Sequence, residues 1–220
     1  MPKVKFEVGK LVDYFGIMDE FLNPKKEEMN WSRVVYSEYP ELKKKLAGAK
    51  NKSIRLMLEE DFFRSIEKKR VKEMERRVKV FQREWDMIND DVMMTLSQIT
   101  EINWAKDDKL IRARVNLNPI CPRYIKERVF DLFWGFDVTQ MKSVSIHEIF
   151  HFIYFEKWKK VFPKTREIEF DSPYLVWKLS EMVTGVVLND ERIQKVFSHR
   201  FYSYDEYESI KIKKRFLLDI

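Results

Sequence analysis

The sequence has a single cysteine, Cys121, and its first residues, MPKVKFEVGK, contain no apolar segment of the kind that directs secretion. One cysteine excludes an internal disulfide and a cysteine-rich zinc finger. Charged residues such as Glu148 and Glu181 interrupt the longest apolar runs, so none reaches the roughly 18 to 20 residues that a membrane-spanning helix needs. We therefore expect a soluble, cytoplasmic protein without a membrane partner.

Glycine and proline are also scarce, with 5 and 7 residues in a chain of 220. Charges of both signs are interspersed, and hydrophobic residues make up 45% of the chain, aromatic residues 15%. This composition excludes low-complexity disorder and is typical of a packed core with charged helical surfaces. The chain is long enough for one sizeable domain or two small ones.

Helical patterns dominate the first 105 residues. Short helices are predicted at about 6–22 and 40–48, and a long helix at about 54–104 that is interrupted near 60 or 90. The long helix carries an apolar stripe at steps of three and four, formed by Val71, Met74, Val78, Phe81, Trp85, Ile88 and Val92. The stripe is either a coiled-coil surface or a face that packs on its own domain, and its short length favours the second interpretation.

The pattern changes near residue 106. LIRARVNL at 110–117 alternates polar and apolar residues and predicts a strand, which the prolines of NPICPR end. Residues 124–134 are typical of a short amphipathic helix. Together these patterns predict an α+β fold, mainly helical, with a helical region at 1–105 and a second domain at 106–220.

Three further helices are predicted in the second domain. One runs to about Lys160, with Thr139 or Ser143 as its N-cap. Another spans about 173–188, where Asp171 or Ser172 precedes Pro173 and is suited to cap the helix. A short helix is predicted around Ile193, and the tail after it fits a strand or a helix equally well.

Histidine is scarce, and two of the three histidines lie four apart in SVSIHEIFHFIYFEKW. On a helix, His147 and His151 share one face and can direct both imidazoles at one zinc ion. Glu148 is about 100° further round, where it reaches a water on the metal rather than the metal itself. The pattern is H-E-x-x-H, and the alternative is a pair of buried histidines satisfied by ordinary hydrogen bonds.

A catalytic zinc site needs a third protein ligand. Glu181 is the strongest candidate because it is the one acidic residue on an otherwise apolar helix, and a buried carboxylate requires a cation. The alternative for Glu181 is a surface pair with Lys178. His199, the remaining histidine, is a ligand, an oxyanion stabiliser or a surface residue in a loop.

HEIFH, followed by the helix that bears Glu181 and preceded by LIRARVNL, resembles the zincin metallopeptidases, specifically the Glu-zincin or thermolysin-like branch. The resemblance implies one zinc ion held by His147, His151 and Glu181. Asp171 competes with Glu181, because its separation of 19 residues from His151 is familiar in that branch. The metzincin branch is excluded by Tyr154 and Lys157, which stand where that pattern requires glycine and histidine, and the Gly-Thr-x-Asp context of aspzincins is absent.

The resemblance also implies how such a protein works. A small sheet would pack on the active-site helix, and 110–117 would be its edge strand, binding an extended peptide through Arg112, Val115 and Leu117. Glu148 would deprotonate the attacking water and return the proton to the leaving amine. The oxyanion donor would be His199, with Tyr202 and Tyr204 as alternatives. The expected function is therefore a zinc-dependent metallopeptidase acting on a peptide or protein.

Two other functions compete with this expectation. Residues 64–83 hold nine Lys or Arg against three Glu, a local excess of +6, which suits a nucleic-acid partner. A solvated helix face opposite the apolar stripe explains the same charges, and no recognition motif accompanies them. The third possibility is an interaction module that zinc stabilises and that catalyses nothing.

Overall fold

The computed structural model describes residues 1–23, 31–49, 51–107 and 109–204, together with residues 207, 211, 212, 215 and 216. Helices make up 62% of the structure, and a small four-stranded mixed sheet accompanies them. The α+β, mainly helical class predicted from the sequence is therefore confirmed.

Strands and helices alternate irregularly along the chain. The first half contains β1 (Lys3–Val8), α1 (Leu11–Leu22), α2 (Trp31–Glu38), α3 (Pro40–Leu46), α4 (Lys52–Asp86) and α5 (Asn89–Thr100). The second half contains β2 (Leu110–Asn116), β3 (Arg123–Tyr124), β4 (Val129–Phe133), α6 (Val138–Val161), a short 3-10 helix (Glu167–Phe170), α7 (Leu175–Val187), α8 (Glu191–Val196), β5 (Lys211–Ile212) and β6 (Arg215–Phe216).

The chain divides into two compact units whose segments alternate in sequence. The first unit takes residues 1–3, 85–110 and 142–220, and the second takes residues 4–84 and 111–141. Each unit therefore draws on both sides of residue 105, where the sequence predicts a single boundary between a helical region and a second domain. Most of α6, and all of α7, belong to the first unit.

The four-stranded sheet lies almost entirely in the second unit, with the strand order β1-β2-β4-β3. Strands β2 and β4 are parallel, with Ala113 opposite Phe130, whereas β3 and β4 are antiparallel. Lys3 N donates to Lys109 O at 3.0 Å and Gly9 N donates to Val115 O at 2.9 Å, so β1 runs in the same direction as β2. The buried sheet residues include Val4, Phe6, Ile111, Ala113, Val115, Phe130 and Leu132.

The expectation that residues 110–117 form an edge strand is wrong, because β2 lies between β1 and β4. The backbone groups that would bind a peptide already form hydrogen bonds within the protein. Arg112 N donates to Arg128 O at 2.9 Å, Val115 O accepts from Gly9 N, and Leu117 O accepts from the Tyr39 hydroxyl at 2.7 Å. Arg112, Val115 and Leu117 therefore cannot bind substrate by strand addition.

The helix predicted at 124–134 is also wrong, since this segment forms β3 and β4. All five residues of β4, VFDLF, are buried. A short apolar run does not distinguish a buried strand from a helix, and here pairing with β2 decides. Asp131 tolerates burial because Arg114 Nε lies 2.8 Å from its Oδ1 and the Tyr124 hydroxyl donates to its Oδ2 at 3.3 Å.

The helix predicted at 6–22 begins later than expected. KVKFEV forms β1, in which Val4 and Phe6 are buried, and α1 begins only at Leu11. Lys10 N donates to Asp13 Oδ2 at 2.9 Å and marks that start. Gly9 joins the two elements in a tight space, because a Cβ there would lie 3.1 Å from Asn116 Cβ and would require its neighbours to shift.

The long helix predicted at 54–104 is two helices, α4 and α5, with a break at Met87 and Ile88 near the predicted interruption. Met74, Phe81 and Trp85 of its apolar stripe are fully buried. The stripe therefore packs within the folded chain, as the second interpretation predicts. The predicted helix at 40–48 is α3, whereas α2 was not predicted.

The helices that carry the site begin with different caps from those expected. At the start of α6, Gln140 N donates to Asp137 Oδ1 at 2.8 Å and Asp137 N donates to Gln140 Oε1 at 3.0 Å, a capping box that replaces Thr139 or Ser143. Tyr174 rather than Asp171 or Ser172 is the N-cap of α7. Within the described ranges, no helix combines the length and the apolar character needed to cross a bilayer.

Candidate metal centre

Helix α6 supplies two residues of the site. Its sequence is apolar on nearly every side, and its buried residues include Ile146, Ile149, Phe150, Phe152, Ile153 and Phe155. His147 and His151 lie one turn apart on a common face, so the Nε2 atoms of both rings approach to 2.9 Å. The His151 side chain is fully buried, whereas 25% of the His147 side chain is exposed.

Helix α7 supplies the third residue, Glu181. One carboxylate oxygen, Oε2, lies 3.2 Å from His147 Nε2, and the other, Oε1, lies 3.3 Å from His151 Nε2. The Glu181 side chain is only 3% exposed, so it faces the two imidazoles and not water. The interpretation of Glu181 as a surface partner of Lys178 is therefore wrong.

These three residues form a group that could hold a metal ion, with their ligand atoms within 4.8 Å of one another. Ligands that bind zinc tetrahedrally at about 2.0 to 2.1 Å lie about 3.3 Å from each other. The separations between the Glu181 oxygens and the imidazole nitrogens, 3.2 and 3.3 Å, match that spacing, whereas the two imidazole nitrogens are closer to each other, at 2.9 Å. Two imidazoles and one carboxylate are also a donor set that divalent transition metals prefer.

The charge of Glu181 is favoured despite its position. Burial raises the pKa of a carboxyl group, but the nearby His151 and His147 rings and their hydrogen bonds hold the pKa of Glu181 well below its usual range. The carboxylate is therefore ionised, as a metal ligand has to be. A metal cation that displaces the protons of the two imidazoles would also stabilise the buried Glu181 carboxylate.

Hydrogen bonds to backbone groups fix the part of α7 around Glu181. The Ser203 hydroxyl donates to Glu181 O at 3.0 Å, and the Thr184 hydroxyl donates to Ser180 O at 2.8 Å. Asn189 fixes the segment of the chain around Phe201, because its Nδ2 donates to Phe201 O at 2.7 Å and its Oδ1 accepts from Phe201 N at 2.9 Å. No sequence pattern indicates Ser203 and Asn189, because side chains that bond only to backbone leave no characteristic spacing.

Aromatic rings limit the orientation of the buried imidazole. The His151 ring stacks on Phe155, with centroids 5.9 Å apart and an interplanar angle of 17°. Phe155 in turn stacks on Phe170 of the 3-10 helix at 4.5 Å, and Lys159 Nζ lies 5.2 Å from the Phe170 centroid. This packing restricts the rotamer of His151. The side chain therefore loses less conformational entropy when a metal binds.

Glu148 lies beside the metal group without belonging to it. Its Oε1 is 3.9 Å from His147 Nε2, longer than the Glu181 contacts, and the residue is 7% exposed. Its place one residue after His147 on α6 directs the carboxylate to the side of the group. This is the arrangement that the motif predicts for a group that acts on a water molecule.

The other candidates of the sequence analysis lie outside the metal group formed by the described residues. Asp171 is exposed at the end of the 3-10 helix. His199 packs between Phe197 and Phe201, with both centroid distances at 5.3 Å. Tyr202 is 63% exposed, and the Tyr204 ring lies 6.3 Å from Trp177. An oxyanion role for His199, Tyr202 or Tyr204 stays a prediction.

Comparison with known proteins gives no family assignment. No protein-family model matches the chain, and neither a curated protein nor a solved structure does. The resemblance to the zincins therefore stays a prediction from HEIFH and Glu181.

Proposed function

We propose that the protein is a zinc-dependent metallopeptidase in which His147, His151 and Glu181 hold the metal and Glu148 is the general base. The observation that carries this proposal is the convergence of the buried His151 and Glu181 with the partly exposed His147, beside a fourth ionisable group, Glu148. A structural pair of histidines would already be satisfied by the contact between the two rings and by Glu181, and it would not need Glu148 as a second carboxylate.

Zinc is the metal that suits this donor set best. Magnesium and calcium prefer oxygen ligands, whereas zinc accepts two imidazole nitrogens and one carboxylate oxygen without a strict geometric demand. Other transition ions bind similar ligands, so zinc is proposed from its preference and not from affinity alone. Three protein ligands are the number found at catalytic zinc sites, whereas structural sites are closed by four.

The chemistry divides between the metal and Glu148. When bound, zinc acts as a Lewis acid that makes a water more acidic and polarises a carbonyl group. Glu148 takes the proton of the water that attacks the peptide carbonyl, and it then delivers that proton to the departing amine nitrogen. The balance is hydrolytic: the peptide C–N bond breaks, a C–O bond forms, and one water is consumed.

Substrate access is expected on the His147 side of the group. The His147 side chain is 25% exposed, whereas the side chains of His151 and Glu181 are 0% and 3% exposed. The buried ligands anchor the metal, and the partly exposed ligand lies where water and a peptide can enter. Because Glu148 follows His147 directly, the base is next to that entrance.

A single substitution with a matched control tests the proposal. Purified protein should contain about one zinc per chain. Glu148→Gln should keep the zinc and lose at least about a thousandfold in the cleavage rate of fluorescently labelled, unfolded casein. Glu156→Gln, on the same helix two turns later, should keep both the zinc and the activity.

The outcomes separate the competing functions. Equal cleavage by Glu148→Gln and the wild type would refute Glu148 as the base. If zinc-loaded wild-type protein cleaves neither casein nor a mixed peptide library, the peptidase proposal is refuted. The result would then favour an interaction module that zinc stabilises and that catalyses nothing. Absence of zinc from protein prepared without chelators would refute both.

A further inference from the structure

Helix α4 carries a second feature, a concentration of positive charge that involves none of the residues of the metal group. Its segment 64–83 holds nine cationic residues, and these differ in the groups that they contact. Arg64 and Arg83 pair with Glu60 and Glu84. Arg77 donates to Phe136 O at 3.1 Å, and Arg70, which also pairs with Glu73, lies over the Trp134 ring at 5.2 Å.

The remaining five cations form one exposed face, which we call the basic stripe. Its members are Lys68, Lys69, Lys72, Arg76 and Lys79, all of them exposed. At about 100° per residue, these positions fall on the side of α4 opposite the fully buried Phe63, Met74 and Phe81. Glu73, which pairs with Arg70, and Glu75 are acidic residues next to them, and the stripe keeps a net positive charge.

The basic stripe has a density of positive charge comparable to the phosphate density of a nucleic-acid strand along the duplex axis. Residues 68 to 79 span about 17 Å of helix, which places one cation every ~4 Å along the axis. One strand of a duplex carries one phosphate per about 3.4 Å of its axis. A straight helix anchored on its apolar face holds these cations in line, so several of them can contact phosphates where the helix lies across a groove of the duplex.

Other polyanions fit the basic stripe less well. An interfacial helix inserts large apolar side chains into the bilayer, but between residues 64 and 83, all of them described, no large apolar side chain is exposed. Single strands are bound by aromatic side chains that stack on bases, and the stripe contains none. A surface that carries charges but no aromatic side chains suits a partner that is bound through its phosphate groups and not through its bases.

We infer that the basic stripe of α4 binds a nucleic-acid duplex through its phosphate backbone, without sequence preference. This surface is separate from the peptidase proposal and does not depend on the metal. Since five contacts release counterions, the affinity should fall steeply with salt, by about 500-fold between 50 and 200 mM.

The test measures duplex binding by fluorescence anisotropy at both salt concentrations. Labelled 20-base-pair DNA and RNA duplexes of mixed sequence are the probes, with the corresponding single strands and phosphatidylserine vesicles as comparisons. The variant Lys72→Gln/Arg76→Gln/Lys79→Gln removes three cations and keeps good helix formers. With two stripe contacts left, its affinity should fall only about tenfold over the same salt range.

The matched control removes three cations from another exposed helix of the same unit. Lys43→Gln/Lys44→Gln/Lys45→Gln on α3 changes the net charge equally and should keep the wild-type affinity and salt dependence. Circular dichroism checks that both variants are folded. Equal losses in the two variants, no duplex binding at 50 mM salt, or tighter binding to single strands or vesicles than to duplex would overturn the inference.

Discussion

The two units each bury a carboxylate, and they stabilise it in different ways. In the second unit, Asp131 is paired with Arg114, whose guanidinium keeps its proton and cannot bind a metal. In the first unit, Glu181 is paired with His147 and His151, whose nitrogens can exchange protons for a metal ion. Both arrangements satisfy a buried anion, but only the second leaves a group that can bind a ligand.

The pKa values of the two carboxyl groups reflect this difference. Burial outweighs the Arg114 contact and raises the pKa of Asp131 to about 6. Burial also opposes ionisation of Glu181, yet the two imidazoles hold its pKa well below the usual range. The Arg114 contact therefore offsets only part of the cost of burying Asp131, whereas the two imidazoles keep Glu181 ionised in a group that could bind a metal.

The largest expected effect is on the structural pair. Arg114→Met leaves Asp131 buried without its cation and should lower the free energy of unfolding by about 3 to 5 kcal/mol, measured by urea denaturation. The double variant Arg114→Met/Asp131→Leu should recover most of that loss, because it removes both charges. Zinc content should be unchanged in the double variant; a loss of zinc there would contradict the separation of the two roles.

The next effect is the pH dependence that Asp131 contributes. Because its pKa in the folded protein, about 6, lies above the usual value of 3.8, the folded state binds this proton more tightly. The contribution to stability is full below about pH 3.8 and is lost as the pH rises through 6, amounting to roughly 3 kcal/mol. Subtracting the stability curve of Asp131→Asn from that of the wild type should reveal this slope, and parallel curves would contradict it.

A somewhat smaller effect is expected at the metal group. Glu181→Ala should weaken zinc binding by about 100-fold or more, equivalent to about 2.7 kcal/mol, because one of three ligands is removed. Competition with a chromogenic chelator measures the change. Lys178→Ala, on the same helix, is the control and should bind zinc as the wild type does; the reverse pattern would restore the surface-pair interpretation.

The smallest effect concerns the support of Glu181. Ser203→Ala removes the hydrogen bond to Glu181 O and should cost about 0.5 to 1.5 kcal/mol of unfolding free energy, measured by denaturation. Zinc affinity should change by less than about tenfold, because the carboxylate itself stays in place. A loss as large as that of Glu181→Ala would show that the side chain of Ser203 acts on the metal group directly.

The parts of the site that the sequence predicts are those set by local geometry. The 3.6-residue period places His147 and His151 on one face, and a lone acid on an apolar helix marks Glu181. The missed parts depend on distant partners: β2 is central because β1, from the start of the chain, pairs with it. For the same reason VFDLF is a strand, although its apolar run alone does not exclude a helix.

The capping errors have a simpler cause. Asp137 and Gln140 stand three apart in FDVTQ, the spacing of a capping box, so the sequence contained a signal that the choice of Thr139 or Ser143 overlooked. Ser203 and Asn189 carry no comparable signal, because each bonds to backbone atoms that any residue would present. Their roles follow only from the fold.

We propose above that His147, His151 and Glu181 bind one zinc ion. Zinc K-edge X-ray absorption of the purified protein measures both the metal and its ligands. We expect about one zinc per chain, with two imidazole nitrogens and oxygen ligands at about 2.0 to 2.1 Å and no sulfur. Protein prepared without chelators that lacks zinc, or a zinc whose ligands persist unchanged in His151→Ala, would contradict it.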